Sequence, residues 1–243
     1  MHFTLLWERG RHVTSGLVQI MAEVLCSRLE CMRHTGASSN SESERGRTML
    51  EKGYVQIYTG NGKGKTTAAI GLAVRALGAG LRVLFLQFMK SRVYSEHDIM
   101  PAISPNLTLE TMGKPYFVVE EGSVPQEEID KWGEGVVVFP PGKPPRDYVE
   151  IVAKGMERAR QAVSSGEYDL VVLDEIVVAL HFGLVSWEQV RDVLDCKKDS
   201  VELVLTGRGA SPELLARADL VTEMRETKHY YASGVEARKG IEC

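Results

Sequence analysis

The segment Thr59-Gly60-Asn61-Gly62-Lys63-Gly64-Lys65-Thr66-Thr67 follows a short apolar run and opens a helical pattern. Its three alternating glycines let the backbone turn tightly and aim several amides at one point, where the positive end of the following helix adds its field. Such a nest suits a polyphosphate. Lys65 would set an ammonium against the phosphates, and the Thr66 hydroxyl would reach a magnesium ion bridging them. The usual phosphate-loop spacing wants a glycine at position 59, where threonine stands, so Gly60 makes this loop one residue short. The direction in which a triphosphate lies is therefore left open by the loop itself.

Two further groups bear on the same chemistry. Leu170-Val171-Val172-Leu173 is an apolar run ending in Asp174 and Glu175. A carboxylate at such a strand end completes the magnesium site of phosphate-loop proteins. Alternation along a strand points the two carboxylates apart, so they are expected to divide the work. Thr206-Gly207-Arg208-Gly209 closes the next apolar run and offers Arg208 as a nucleotide contact, the alternative being a surface arginine in a turn.

These residues need a scaffold that gathers strand ends. Short apolar runs at 54–58, 82–88, 107–111, 169–173, 201–206 and 220–225 alternate with helical patterns at 65–77, 146–164, 186–194 and 211–218. That alternation predicts an α/β fold, with a mostly parallel sheet of about six strands flanked by helices. Open sheets of this kind bind ligands at the carboxyl ends of their strands, where all three motifs fall. Ser186 with Gln189 predicts a capping box, and Ser211-Pro212 a capped helix start. An apolar stripe at Val149, Val152, Ala153, Met156 and Val163 predicts the face that the long helix buries. Residues 101–145 hold eight of the nine prolines and are expected to form a long irregular excursion.

The chain has 243 residues, 44% of them hydrophobic, enough for one ordinary domain. Its 29 Lys and Arg against 33 Asp and Glu give a net charge of −4, which provides no general footprint for nucleic acid. Positive charge is instead expected to concentrate at Lys63, Lys65 and Arg208. No run reaches the roughly 18 apolar residues of a membrane span. Residues 1–50 read as an extension, with a polar stretch at 36–47 expected to be disordered and an amphipathic helix at 16–29. Glu8, Glu23 and Glu30 speak against a mitochondrial address, and Met49 is an alternative start. Cys26 and Cys31, with His12 and His34, match no zinc spacing, and reduced thiols in a cytoplasmic protein are expected.

The chain from about Gly53 to Glu242 resembles the ATP:corrinoid adenosyltransferases of the phosphate-loop type. The resemblance rests on GNGKGKTTAAIGLAVRALGAG from Gly60, VLFLQFMKS from Val83, LVVLDE from Leu170, LTGRGA from Leu205 and DLVTEMRETKHYYASGVEARKGIE from Asp219, in that order. It implies a P-loop NTPase-like (RecA-like) fold for residues 51–243. It also implies an enzyme of cobalamin synthesis or salvage, with ATP bound in the reverse direction by the short loop. A Co(I) corrinoid would attack the 5′ carbon of ATP and triphosphate would leave. Carried over by position, Gly60, Asn61, Gly62, Lys63, Gly64, Lys65, Thr66, Thr67 and Arg208 would bind ATP. Thr66, Asp174 and Glu175 would hold magnesium, with Lys65 and Glu175 as the catalytic pair. In some relatives a Gly-Phe-x-Trp segment packs under the corrinoid. Here Met112-Gly113-Lys114-Pro115-Tyr116-Phe117 stands instead, making Phe117 and Tyr116 the corrinoid candidates, with core aromatics as the alternative. The resemblance further implies a homodimer and a separate electron donor that reduces the cobalt. His181, six residues beyond Glu175, is not expected to share a metal with it, while His229 and Tyr230-Tyr231 would line the site or a subunit contact. Two other readings stay open: a RecA-like hydrolase that couples ATP to motion, and a binding protein without turnover.

Overall fold

Side chains alternate along each central strand, and both faces of the sheet are apolar. On β1 (Val55–Thr59), Val55 and Ile57 face one layer and Tyr58 the other. On β2 (Val83–Phe88), Leu84, Leu86 and Phe88 oppose Val83 and Phe85. A sheet apolar on both sides must be covered on both sides, which is why parallel strands with helical crossovers result. The computed structural model describes residues 50–91, 94–132 and 135–242; the expected helix at 16–29, the polar stretch at 36–47, and Cys26, Cys31 and Cys243 lie outside them.

The main sheet has six strands in the order β3-β2-β6-β7-β1-β8, every pair parallel. The remaining strands are β3 (Leu107–Met112), β6 (Leu170–Asp174), β7 (Glu202–Thr206) and β8 (Leu220–Glu223). Helix α1 (Lys65–Gly78) covers one face through Ala69, Ala73, Ala76 and Leu77. The long helix α4 (Arg146–Ser165) covers the other. Its buried face is centred on Tyr148, Val152, Gly155, Met156 and Ala159, so the expected Val149 and Ala153 lie at its half-buried margin. Ser186 caps α6 (Trp187–Asp195) in the expected capping box, and Ser211 caps α7 (Pro212–Leu215), which is shorter than the apolar pattern predicted.

The proline-rich stretch is ordered rather than irregular. Its prolines punctuate short elements: β4 (Phe117–Glu120) pairs in parallel with β5 (Val136–Phe139), and α3 (Gln126–Trp132) follows Pro125. Pro145 precedes the first residue of α4. Within the stretch only Pro101 lies inside a helix, α2 (Glu96–Ile103), where it sits past the first turn and brings no amide to the helix ladder. A further short helix, α5 (Ile176–His181), starts directly after Glu175.

Packing between α4 and the sheet is close at Gly155, where a methyl group would stand 2.6 Å from the Phe88 ring and 2.8 Å from Met112. Gly71 on α1 has open space around it. Gly155→Ala should lower stability by about 1–3 kcal/mol through overpacking. Gly71→Ala should raise it by roughly 0.5–1 kcal/mol by reducing unfolded-chain entropy. Urea unfolding of both variants checks the contrast; equal effects would place the tight contact elsewhere.

Candidate functional site

All three motifs converge at the carboxyl edge of the sheet, around one fully buried carboxylate. Asp174 ends β6 and accepts four hydrogen bonds. Oδ1 receives the Thr66 hydroxyl at 2.9 Å and the Thr206 hydroxyl at 2.6 Å. Oδ2 receives the Lys90 ammonium at 2.9 Å and the Gln87 amide at 3.1 Å. Burial by itself would raise the Asp174 pKa, but the Lys90 charge beside it and the donated hydrogen bonds outweigh that and hold it below the usual carboxylate range. Burial likewise opposes the charge on Lys90, and Asp174 and Glu175 overcome it, so the ammonium is held more firmly than usual.

Glu175 takes the opposite course. Its backbone is left-handed, with φ 62°, and its amide donates to Thr206 Oγ1 at 2.9 Å. That turn ends the strand, starts α5 and sends the Glu175 side chain into the cleft while Asp174 stays inside. The two side chains therefore point apart, through the left-handed turn at Glu175 rather than through strand alternation. Burial, and then the Asp174 charge, push the Glu175 carboxyl up. Met89, at the end of the neighbouring β2, is also left-handed, with φ 58°. Among the described residues these are the two non-glycine residues with positive φ, and both line the cleft, where such strain marks positions the surrounding structure enforces.

The phosphate loop is pinned from behind by the end of β8. A Cβ on Gly60 would meet the Met224 carbonyl at 2.4 Å, and Gly60 itself has φ 94°. The Gly62 amide donates to that same carbonyl at 2.7 Å. Gly60 and Gly62 thus shape the loop, and the Gly62 amide is engaged within the protein rather than offered to an anion. Gly62 itself lines the loop cavity described below. The Lys65 ammonium folds back onto the carbonyls of Gly60 at 2.7 Å and Gly62 at 2.8 Å, and burial, then Arg208, lower its pKa.

Two cavities open on this edge. The first, about 490 Å³, is walled by Gly62 to Thr67 of the loop and α1, with His229 and the tail residues Gly240 to Glu242. The second, about 660 Å³, is lined by Met89, Phe117, Val118, Val119, Val178 and Phe182, together with Asn61, His181 and Gly209. They share Lys90, Tyr94, Glu175 and Arg208. Phe117 is 53% exposed and lines the apolar cavity. Tyr116 is not brought there: its ring packs edge-on against Tyr148 and its hydroxyl donates to Asp147 at 3.2 Å. His229 lines the loop cavity. His181 sits against Gly209 in the other cavity and is not grouped with Glu175 for a metal.

Sequence reasoning missed Lys90, Tyr94 and Gln87. The first and third lie within or just past β2 in the VLFLQFMKS segment, and a glutamine in an otherwise apolar strand was the available signal. Gln87 is fully buried and joins Asp174 to His97, whose Nε2 lies 2.5 Å from Gln87 Oε1. Because Asp174 only accepts, the Gln87 amide nitrogen faces it and the amide oxygen faces the imidazole.

The donor set suits magnesium. Among the described residues no three or more His, Cys, Asp and Glu gather to cage a metal. A hydroxyl at Thr66 with one or two carboxylates is what magnesium needs when phosphate oxygens and water complete its shell.

Comparison with known proteins agrees with this geometry. Residues 51–243 match the family described as ATP:corrinoid adenosyltransferase BtuR/CobO/CobP. The chain is similar to the corrinoid adenosyltransferase of Pseudomonas aeruginosa, 32% identical over 192 residues, covering 79% of this chain and 84% of the relative. It is also similar to the corrinoid adenosyltransferase of Escherichia coli, 31% identical over 195 residues, covering 79% of this chain and 86% of the relative. The corrinoid adenosyltransferase CobA of Salmonella typhimurium is 32% identical, with the same coverage. With the phosphate loop, the buried carboxylate and the paired cavities in place, the chain belongs to the ATP:corrinoid adenosyltransferase family.

Proposed function

We infer that this protein transfers the 5′-deoxyadenosyl group of ATP to the cobalt of a Co(I) corrinoid and releases triphosphate, in cobalamin synthesis or salvage. One observation carries the reading: a cavity built on the glycines, lysines and threonines of the phosphate loop and a second, more apolar cavity meet at Lys90, Tyr94, Glu175 and Arg208. The bond to be broken joins a triphosphate to a ribose carbon, and the attacking partner is a broad, largely apolar ring system. Two cavities that differ in polarity and share a wall suit those two halves, which supports a reacting carbon at that wall.

The cobalt–carbon bond forms as the bond from C5′ to its oxygen breaks. The electron pair of the broken bond leaves with triphosphate, and cobalt goes formally from Co(I) to Co(III). No proton moves, so no general base is needed. The protein orients the two reactants and stabilises the negative charge that builds on the leaving group. Lys63, Lys65, the amides of the loop beyond Gly62, Lys90 and Arg208 provide that stabilisation. Lys65 must exchange the carbonyls of Gly60 and Gly62 for phosphate oxygens. Thr66, Asp174 and Glu175 would hold magnesium, which when bound would neutralise part of the triphosphate charge. Phe117 would lie against the corrinoid. An electron donor must deliver the Co(I) state, and the family resemblance supports a homodimer working in the cytoplasm. Among the described residues no helix is long and apolar enough to cross a membrane.

Anaerobic incubation with ATP, magnesium and chemically reduced cobalamin should yield adenosylcobalamin and triphosphate. ADP and phosphate formed without regard to corrinoid would instead support the hydrolase reading, and binding without products the carrier reading. Lys65→Ala should cut transfer by about 10²–10³-fold with the thermal midpoint retained; near-normal rates would move the triphosphate away from the loop. Phe117→Ala should impair reaction with complete cobalamin more than with a corrinoid lacking the lower ligand, and equal effects on both substrates would remove Phe117 from that role.

A further inference from the structure

Lys90 holds a position that the proposed chemistry assigns to a metal ion. Its ammonium contacts Thr66 Oγ1 at 3.2 Å and Asp174 Oδ2 at 2.9 Å. The Thr66 hydroxyl donates its own proton to Asp174 Oδ1, so its lone pair is what Lys90 meets. Threonine hydroxyl and strand-end carboxylate are the oxygen donors that a divalent cation would use here, and both are occupied by one ammonium.

The surroundings hold the Lys90 backbone and leave its stem room to move. The preceding residue, Met89, is in the left-handed turn and donates its amide to the Met112 carbonyl at 3.0 Å. Gly113 lies so close that a Cβ there would stand 2.4 Å from the Lys90 nitrogen. The side chain beyond that anchor is 12% exposed and opens onto the wall shared by both cavities, with the Tyr94 ring 5.1 Å from the ammonium. A lysine stem is flexible enough to move its charge between neighbouring acceptors. Its acceptors are Asp174 and Thr66; a triphosphate in the loop cavity would add new ones on the other side.

We propose that the Lys90 ammonium acts as a built-in counter-ion, filling the cation position between Thr66 and Asp174 until nucleotide arrives, so that a divalent cation is admitted only together with triphosphate. This rests on the triphosphate reading of the loop cavity, but the ion exchange is separable from adenosyl transfer. Lys90 is here a positioning residue: it pairs with Asp174 and orients Thr66, and yields both when a more highly charged complex supplies the positive charge. Occupancy by ammonium and by a dication exclude one another, since the same oxygens serve both and like charges repel at that range. Cation and nucleotide binding must therefore be coupled, and the coupling must be reciprocal.

The test is a titration of the full chain with Mn²⁺ followed by the electron paramagnetic resonance of the free ion, without corrinoid, in the presence and absence of ATP. Without nucleotide, Lys90→Met should bind Mn²⁺ about tenfold or more tightly than the natural protein, and Lys90→Arg, which keeps the charge, should stay within about threefold of it. ATP should sharpen Mn²⁺ binding in the natural protein by a larger factor than in Lys90→Met. If Lys90→Met binds Mn²⁺ no better than the natural protein, Lys90 does not hold the cation position. Should that variant fail to fold, the natural protein decides alone: a Mn²⁺ site as tight without ATP as with it overturns the proposal. Neither result depends on transfer, so loss of the ion exchange and loss of the adenosyltransferase reading are told apart.

Discussion

A carboxylate removed from water costs several kcal/mol unless its charge and all its lone pairs are met, and Asp174 is the point where this fold meets that demand. Its four donors come from four places: Thr66 from the first turn of α1, Gln87 from β2, Lys90 from just beyond it, and Thr206 from the end of β7. None of these can move far without leaving a buried charge short of a partner. The phosphate loop, the cleft wall and the Arg208 turn are thereby tied to one another through a single side chain.

The layered core explains why such an arrangement is stable. β6 is buried along its whole length, with β2 and β7 on either side, so its end is a rigid platform rather than a loop. Two left-handed residues, Met89 and Glu175, sit at the ends of adjacent strands, and each turns the next side chain or its own into the cleft. The strain they carry is held by the hydrogen bonds from Met89 to Met112 and from Glu175 to Thr206.

Much of this could be read from residue order alone. Apolar runs separated by amphipathic helices located six strands within a residue or two at most ends, and the three motifs fell at the strand ends that the fold demands. What escaped reading had physical reasons. Helices α2, α3 and α5 are too short to show a full apolar period, and α2 contains Pro101, an apparent helix breaker. The β4-β5 pair hid among prolines that mark its ends rather than disrupt it. Lys90 looked like any surface lysine because its partner lies 84 residues away. Tyr116 and Phe117 are adjacent in the chain, yet one joins the core and the other the cleft, a division set by β4 pairing that the local sequence does not state. Gly62 matched the loop pattern while its amide was already engaged by Met224, a contact across the sheet.

The central claim is that bond breaking occurs at the ribose carbon where the two cavities meet, and not within the triphosphate. The most direct measurement uses ATP carrying heavy oxygen at the bridge between C5′ and the α-phosphorus, turned over with reduced corrinoid under anaerobic conditions. The account predicts that the label leaves entirely with triphosphate, because the carbon–oxygen bond is the one that breaks. Label retained in a nucleoside phosphate, with unlabelled phosphate released, would contradict it.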